Sequence, residues 1–228
     1  DLDGVVARAM SLINICLWDL RAQAHDEPLW STLGGTARAL RLLVVEGYSL
    51  PGESDDQFAH RLASRARETG CDLKIEAASY SDPRQLLRRL ELLRELSGDD
   101  IRIVVDMAFS WNNLEQASEA EGLWRHLGIS WIEDPFPRDQ LELTTRLHNL
   151  VKTPLGAADE VTRPSDLLGL IEQGGIDVVR IDTHAIGGIS RAALVAECAR
   201  AAGLPTSLHT HPEVHEHCAL AWGSDHVE

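Results

Sequence analysis

The sequence predicts a parallel α/β protein of the TIM-like (β/α) barrel type. Three observations carry that reading. Short apolar runs alternate with longer amphipathic stretches from about residue 40 onward. Strand-to-strand spacing is close to one βα unit throughout, as a barrel requires. No G-x-G-x-x-G or Walker pattern follows the first run, so a doubly wound nucleotide-binding sheet is disfavoured.

The elements follow in order. The stretch "VVARAMSLINICLWDLRAQ" reads as a helix already under way at the start of the chain. It predicts a linking helix and lead-in over residues 1–38, with the barrel over 39–228. The strand runs are "LRLLVVEGY", "CDLKIEA", "IRIVVD", "GISWIE", "TPLGAAD", "IDVVRID" and "LPTSLH", with a short eighth at "DHVE", cut off at Glu228. The chain therefore reads as a fragment of a longer protein. Between the strands lie helices such as "DPRQLLRRLELLRELSG". There Asp82 is placed to cap, Pro83 to start the first turn and Gly98 to stop the helix. Leu86, Leu90 and Leu93 form one apolar face, as do Leu167, Leu170 and Ile171 in a later helix. Both read as core.

Composition narrows the function. A net charge of −15 over 228 residues disfavours nucleic acid and anionic membrane surfaces, which call for clustered Lys and Arg. Four cysteines without a C-x-x-C pair or regular spacing read as reduced thiols, and so as a cytoplasmic protein. No apolar run is long enough to span a membrane.

In a barrel the active site lies at the C-terminal ends of the strands. Read there, the sequence offers Lys74 and Glu76 on one face of the second strand, Asp106 on the third and Glu133 on the fourth. It then offers Asp159-Glu160 on the fifth, Asp182 on the sixth, His209 on the seventh and Glu228 on the eighth. Acids on three consecutive strands repel one another unless a cation lies between them. Oxygen-only ligands suit a hard ion such as Mg²⁺.

These residues, with "LWDLRAQAHDEPLWSTLGG", "LKIE", "IVVDMAFSW", "WIEDPFP", "GAADEV", "VVRIDTHAIGGIS" and "LHTHPEVHEHCALA", resemble the enolase superfamily, and within it the mandelate racemase/muconate lactonizing enzyme family. The resemblance implies Mg²⁺ as cofactor, Asp106 and Glu133 as metal ligands, and Asp159 or Glu160 as the third. It implies Asp182 and His209 as a His-Asp dyad, and Glu228 as a hydrogen-bond partner of substrate. It places Lys74 on the first lysine of a K-x-K motif, with Glu76 standing where many members carry the second. It also implies a homo-oligomer, and an N-terminal α+β capping domain that this chain is expected to lack.

The step implied is removal of a proton α to a carboxylate, with Mg²⁺ stabilising the enediolate. Lys74 adds positive charge, His209 acts as base and then acid, and Asp182 orients it. With one clear base, loss of water from a small sugar acid fits better than racemisation. The expected activity is an acid-sugar dehydratase. Two alternatives are a racemase or epimerase of a hydroxy acid, and a degenerate barrel that only binds metal or ligand.

Other residues read as support. His211, His215 and His217 group with His209, and His184 sits in the loop after Asp182. Arg180 shares a strand face with Asp182 and suits a barrel-interior ion pair. Trp18, Asp19 and Trp111 read as packing residues.

Overall fold

The computed structural model describes residues 4–80 and 82–228. Eight parallel strands run in chain order as a (β/α) barrel: β1 (Arg41–Val45), β2 (Asp72–Glu76), β3 (Ile103–Asp106), β4 (Trp131–Glu133), β5 (Leu155–Ala157), β6 (Val178–Ile181), β7 (Thr206–Leu208) and β8 (His226–Val227). A long helix, α1 (Gly4–Ala24), and a short one, α2 (Leu29–Thr32), precede β1. The helices between strands are α3 (Asp55–Thr69), α4 (Pro83–Ser97), α5 (Leu114–Trp124), α6 (Leu141–His148), α7 (Pro164–Glu172), α8 (Ile189–Ala201) and α9 (Pro212–Trp222). None of the described helices is long and apolar enough to cross a membrane. The four cysteines are unpaired.

The chain divides into two compact units, Leu42–Gly156 and Asp1–Arg41 with Ala157–Glu228. In the first, local sequence sets the helix ends. Ser54 accepts from the Gln57 amide while Gln57 answers to the Ser54 amide, so two orphan donors of α3 are satisfied at once. Gly70 closes α3 at φ 65°, a conformation glycine adopts without strain. Asp82 accepts from the Arg84 amide at 2.9 Å, as the sequence predicts for the start of α4. Leu86, Leu90 and Leu93 are buried in the apolar core with Phe58, Leu62, Ile75 and Val105. Arg89 is buried among them, and its charge is met by Asp55 at 2.7 Å and by Ser49, Tyr80 and the Glu53 carbonyl.

In the second unit, α1 docks on α8 through polar contacts. Trp18 donates its indole N–H to Ser190 Oγ at 2.9 Å, and Asn14 bonds the same hydroxyl at 3.0 Å. Trp18 is thus a packing residue, and Asp19 accepts from Gln23 one turn on.

One feature recurs at the C-terminal ends of strands. Non-glycine residues with left-handed backbone follow β3 (Ala108 φ 42°, Phe109 φ 64°), β4 (Asp134 φ 40°), β5 (Ala158 φ 85°) and β7 (Thr210 φ 52°, His211 φ 49°). Such conformations cost of order 1 kcal/mol each and concentrate at functional sites.

Candidate active site

Within the first unit, strand register assembles Lys74, Asp106 and Glu133. Asp106 lies beside Glu133 across the β3–β4 pairing, and Glu76 beside Asp106 across β2–β3. Neighbours in parallel register point to the same face. The Lys74 ammonium lies 2.7 Å from Glu133 Oε1 and 3.3 Å from Asp106 Oδ2. Lys74 and Glu133 are buried, so neither charge could be held there alone. Asp106 Oδ1 accepts from the Ala108 amide at 2.8 Å, which ties the carboxylate to the left-handed turn after β3.

Glu133 has a second partner that sequence reading did not supply. Trp131 donates its indole N–H to Glu133 Oε2 at 3.0 Å. The signal was the spacing: residues two apart on a strand share a face. Gly156, beside Glu133 on β5, makes room for that ring, since a Cβ there would lie 2.6 Å from Trp131 Cδ1. Glu76 turns to its own loop, where Oε1 accepts from the Ser79 amide at 3.1 Å. Trp111 is buried as expected, stacked on Trp124 at 6.0 Å, and lines a cavity of about 230 Å³ with Met107 and Tyr80.

Within the second unit, His209 sits between two carboxylates. Its Nδ1 is 3.4 Å from Asp182 Oδ2, and its Nε2 is 3.4 Å from Asp159 Oδ2. Burial alone would depress the imidazole pKa, but Asp182 and Asp159 outweigh it and raise the value above the ordinary one. Asp182 shows the complement. Burial pushes its carboxyl up, yet His184 and His209 hold it well below the usual range. The His184 amide donates to Asp182 Oδ1 at 2.7 Å, which fixes the carboxylate.

The neighbouring acids Asp159 and Glu160 part company. Asp159 is buried, and its Oδ1 has no hydrogen-bond partner among the described residues. Glu160 faces Arg8 of α1 at 3.6 Å, with both side chains substantially exposed. Glu228 forms a buried ion pair with Arg180, which also donates to Ser207 Oγ. Arg180 is therefore in the ion pair expected of it. The expected histidine cluster is corrected in membership. His184, His211 and His215 gather, whereas His217 accepts from the Trp30 amide of α2. His215 and His217, two apart on α9, cannot share a helix face.

Within the first unit, Asp106 and Glu133 offer carboxylate oxygens of the kind that suit a hard divalent cation, and they already draw the Lys74 ammonium between them.

Residues 57–224 match the family model described as enolase C-terminal domain-like. The chain belongs to this family. Its place within the enolase superfamily is the C-terminal barrel domain of the mandelate racemase/muconate lactonizing enzymes. Among curated relatives it is 26% identical to arabinonate dehydratase of Saccharolobus solfataricus over 90% of this chain and 55% of that protein. It is 27% identical to L-talarate/galactarate dehydratase of Salmonella typhimurium, over 96% and 54%. A crystal structure of an L-talarate/galactarate dehydratase mutant, liganded with Mg and L-glucarate, superposes with a TM-score of 0.89 at 26% identity, over all of this chain and 57% of that one. The chain thus spans about half the length of the curated relatives it matches.

Proposed function

We propose that this protein removes the proton α to the carboxylate of a sugar acid and eliminates water from it. The observation that carries this reading is His209 with its Nδ1 held 3.4 Å from Asp182 Oδ2, a histidine–carboxylate pair. A histidine so placed takes up a proton readily and can return it. Asp182 fixes the tautomer and stabilises the imidazolium. The two dehydratase relatives support the reaction class.

Asp106, Glu133 and Asp159 are the residues assigned to hold Mg²⁺, an assignment that follows the family pattern. Bound Mg²⁺ supplies positive charge to a substrate carboxylate and so acidifies its α-carbon. Lys74 contributes further positive charge beside Asp106 and Glu133. Glu76 replaces the second lysine of the family motif, which leaves His209 as the single clear base and favours elimination over two-base racemisation. Glu228 is assigned to a substrate hydroxyl, with Arg180 positioning it.

The test is a panel of sugar acids in D₂O with excess Mg²⁺, on wild type and His209→Asn. Dehydration by wild type, lost in the variant, supports the reading. Full dehydration by His209→Asn sinks it. Exchange of the α-proton with the hydroxyl retained replaces elimination by epimerisation.

A further inference from the structure

We infer that Asp182, His184 and His211 form a second cation site, suited to a borderline divalent ion of the zinc class and separate from the oxygen-only carboxylate set. One ligand atom from each of the three lies within 4.8 Å of the others. The His184 and His211 rings are stacked, with centroids 3.8 Å apart and a tilt of 32°, so the His211 ring must swing about its side-chain bonds to aim a nitrogen at the ion. Two imidazoles and one carboxylate match the three-ligand pattern of zinc sites that keep a fourth position open. A tetrahedral ion wants its ligand atoms roughly 3.4 Å apart, from metal–ligand bonds of about 2.1 Å. Exposed His211 has the freedom to close that difference, and it also gives the ion a way in.

The supporting groups point the same way. His215 is buried and is not a ligand, because both its nitrogens are in use. Its Nε2 accepts from the Thr183 amide at 3.2 Å, so Nδ1 carries the proton and donates to the Thr210 carbonyl at 2.6 Å. Thr183 precedes His184 and Thr210 precedes His211. One imidazole thus braces the residue before each proposed histidine ligand, as outer-shell groups do in metal sites. Thr210 and His211 both hold left-handed backbone, which throws the His211 ring toward His184. The same brace holds the residues that follow Asp182 and His209, and His209 reaches Asp182 through the other carboxylate oxygen, so Oδ1 is the oxygen on the side of the two histidines.

An ion held there would compete with His209 for Asp182. That consequence rests on the proposed function, whereas binding itself does not.

The experiment is calorimetric titration of Zn²⁺ into the full chain with excess Mg²⁺ present, repeated with Co²⁺ and read by visible absorption. The expected result is one equivalent of Zn²⁺ and the intense bands of four-coordinate Co²⁺. His184→Ala and His211→Ala should each weaken binding by at least about tenfold. His217→Ala, on the same helix as His215 but facing α2, should leave it unchanged. Circular dichroism shows whether each variant is folded. Exposed His211 tolerates truncation, so that variant decides the matter even if His184→Ala unfolds. Zn²⁺ affinity unchanged in folded His211→Ala overturns the inference, as does the absence of saturable Zn²⁺ binding to wild type.

Discussion

Gly156→Ala tests how the Glu133 carboxylate is positioned. A Cβ at this position would sit 2.6 Å from Trp131 Cδ1 and 2.9 Å from Trp131 Nε1. Ordinary contact begins near 3.4 Å, so the indole must retreat by about 0.8 Å. It has little room, because Trp131 is only 3% exposed. The hydrogen bond from Trp131 Nε1 to Glu133 Oε2 is 3.0 Å long and does not survive such a shift. Overpacking of this kind costs about 1–3 kcal/mol. Loss of a hydrogen bond to a buried charged group adds about 1.5–3 kcal/mol. The expected destabilisation is therefore roughly 2.5–6 kcal/mol. Urea unfolding followed by tryptophan fluorescence measures it, and near-UV circular dichroism reports the ring. Gly122→Ala is the control. Gly122 lies inside α5, and a Cβ there meets nothing within 4 Å. That change should stabilise by about 0.5–1 kcal/mol, through helix propensity alone. If Gly156→Ala unfolds at the wild-type urea concentration with an unaltered near-UV spectrum, the wedge between Gly156, Trp131 and Glu133 is refuted.

Further expectations follow from other sites. Leu90→Ala removes a fully buried side chain between α4 and its core and should cost about 2–5 kcal/mol in urea unfolding. Glu160→Gln weakens an exposed pair with Arg8, so stability should change by less than about 1 kcal/mol. Calorimetric Mg²⁺ affinity should hold in that variant but fall in Asp159→Asn, and the reverse pattern would move the third ligand to Glu160. Glu121 is buried, and although burial pushes its carboxyl up, Arg125 and Thr153 hold it below its ordinary value of 4.5. Its folded pKa is the lower one, so its contribution is present above 4.5 and lost as pH falls below that value. Glu121→Gln should accordingly weaken the fold at neutral pH while flattening the acid limb of the stability curve. Ala158→Gly, at φ 85°, should stabilise by up to about 1 kcal/mol, against the usual direction for added glycine.

Much of the fold was legible because period-two runs and amphipathic helices follow from local spacing. The strand-end acids Asp106 and Glu133 were legible for the same reason, since each ends an apolar run. The choice between Asp159 and Glu160 was not. Successive residues at a strand end can swap faces with one backbone torsion, and here a left-handed Ala158 precedes the buried Asp159. Arg8, which draws Glu160 away, stands far off in the sequence. The histidine group illustrates the same limit. His184 and His211 meet through two loops whose approach no periodicity encodes, while His217 lies on the wrong side of α9.

The left-handed residues have a consequence for how such a protein diversifies. They fall just after the strand ends, at Ala108 and Phe109, Asp134, Ala158, and Thr210 with His211, while Asp106 and Glu133 themselves stay in strand. After β3 and β4 the left-handed residues stand between the strand-end carboxylate and the loop beyond it, so a change of loop direction can be taken up there, whereas at β5 Ala158 precedes Asp159 and sets its direction. Asp106 and Glu133 are thereby insulated from the loops that follow them. Loop sequence can therefore be rewritten while the two strand-end carboxylates keep their place.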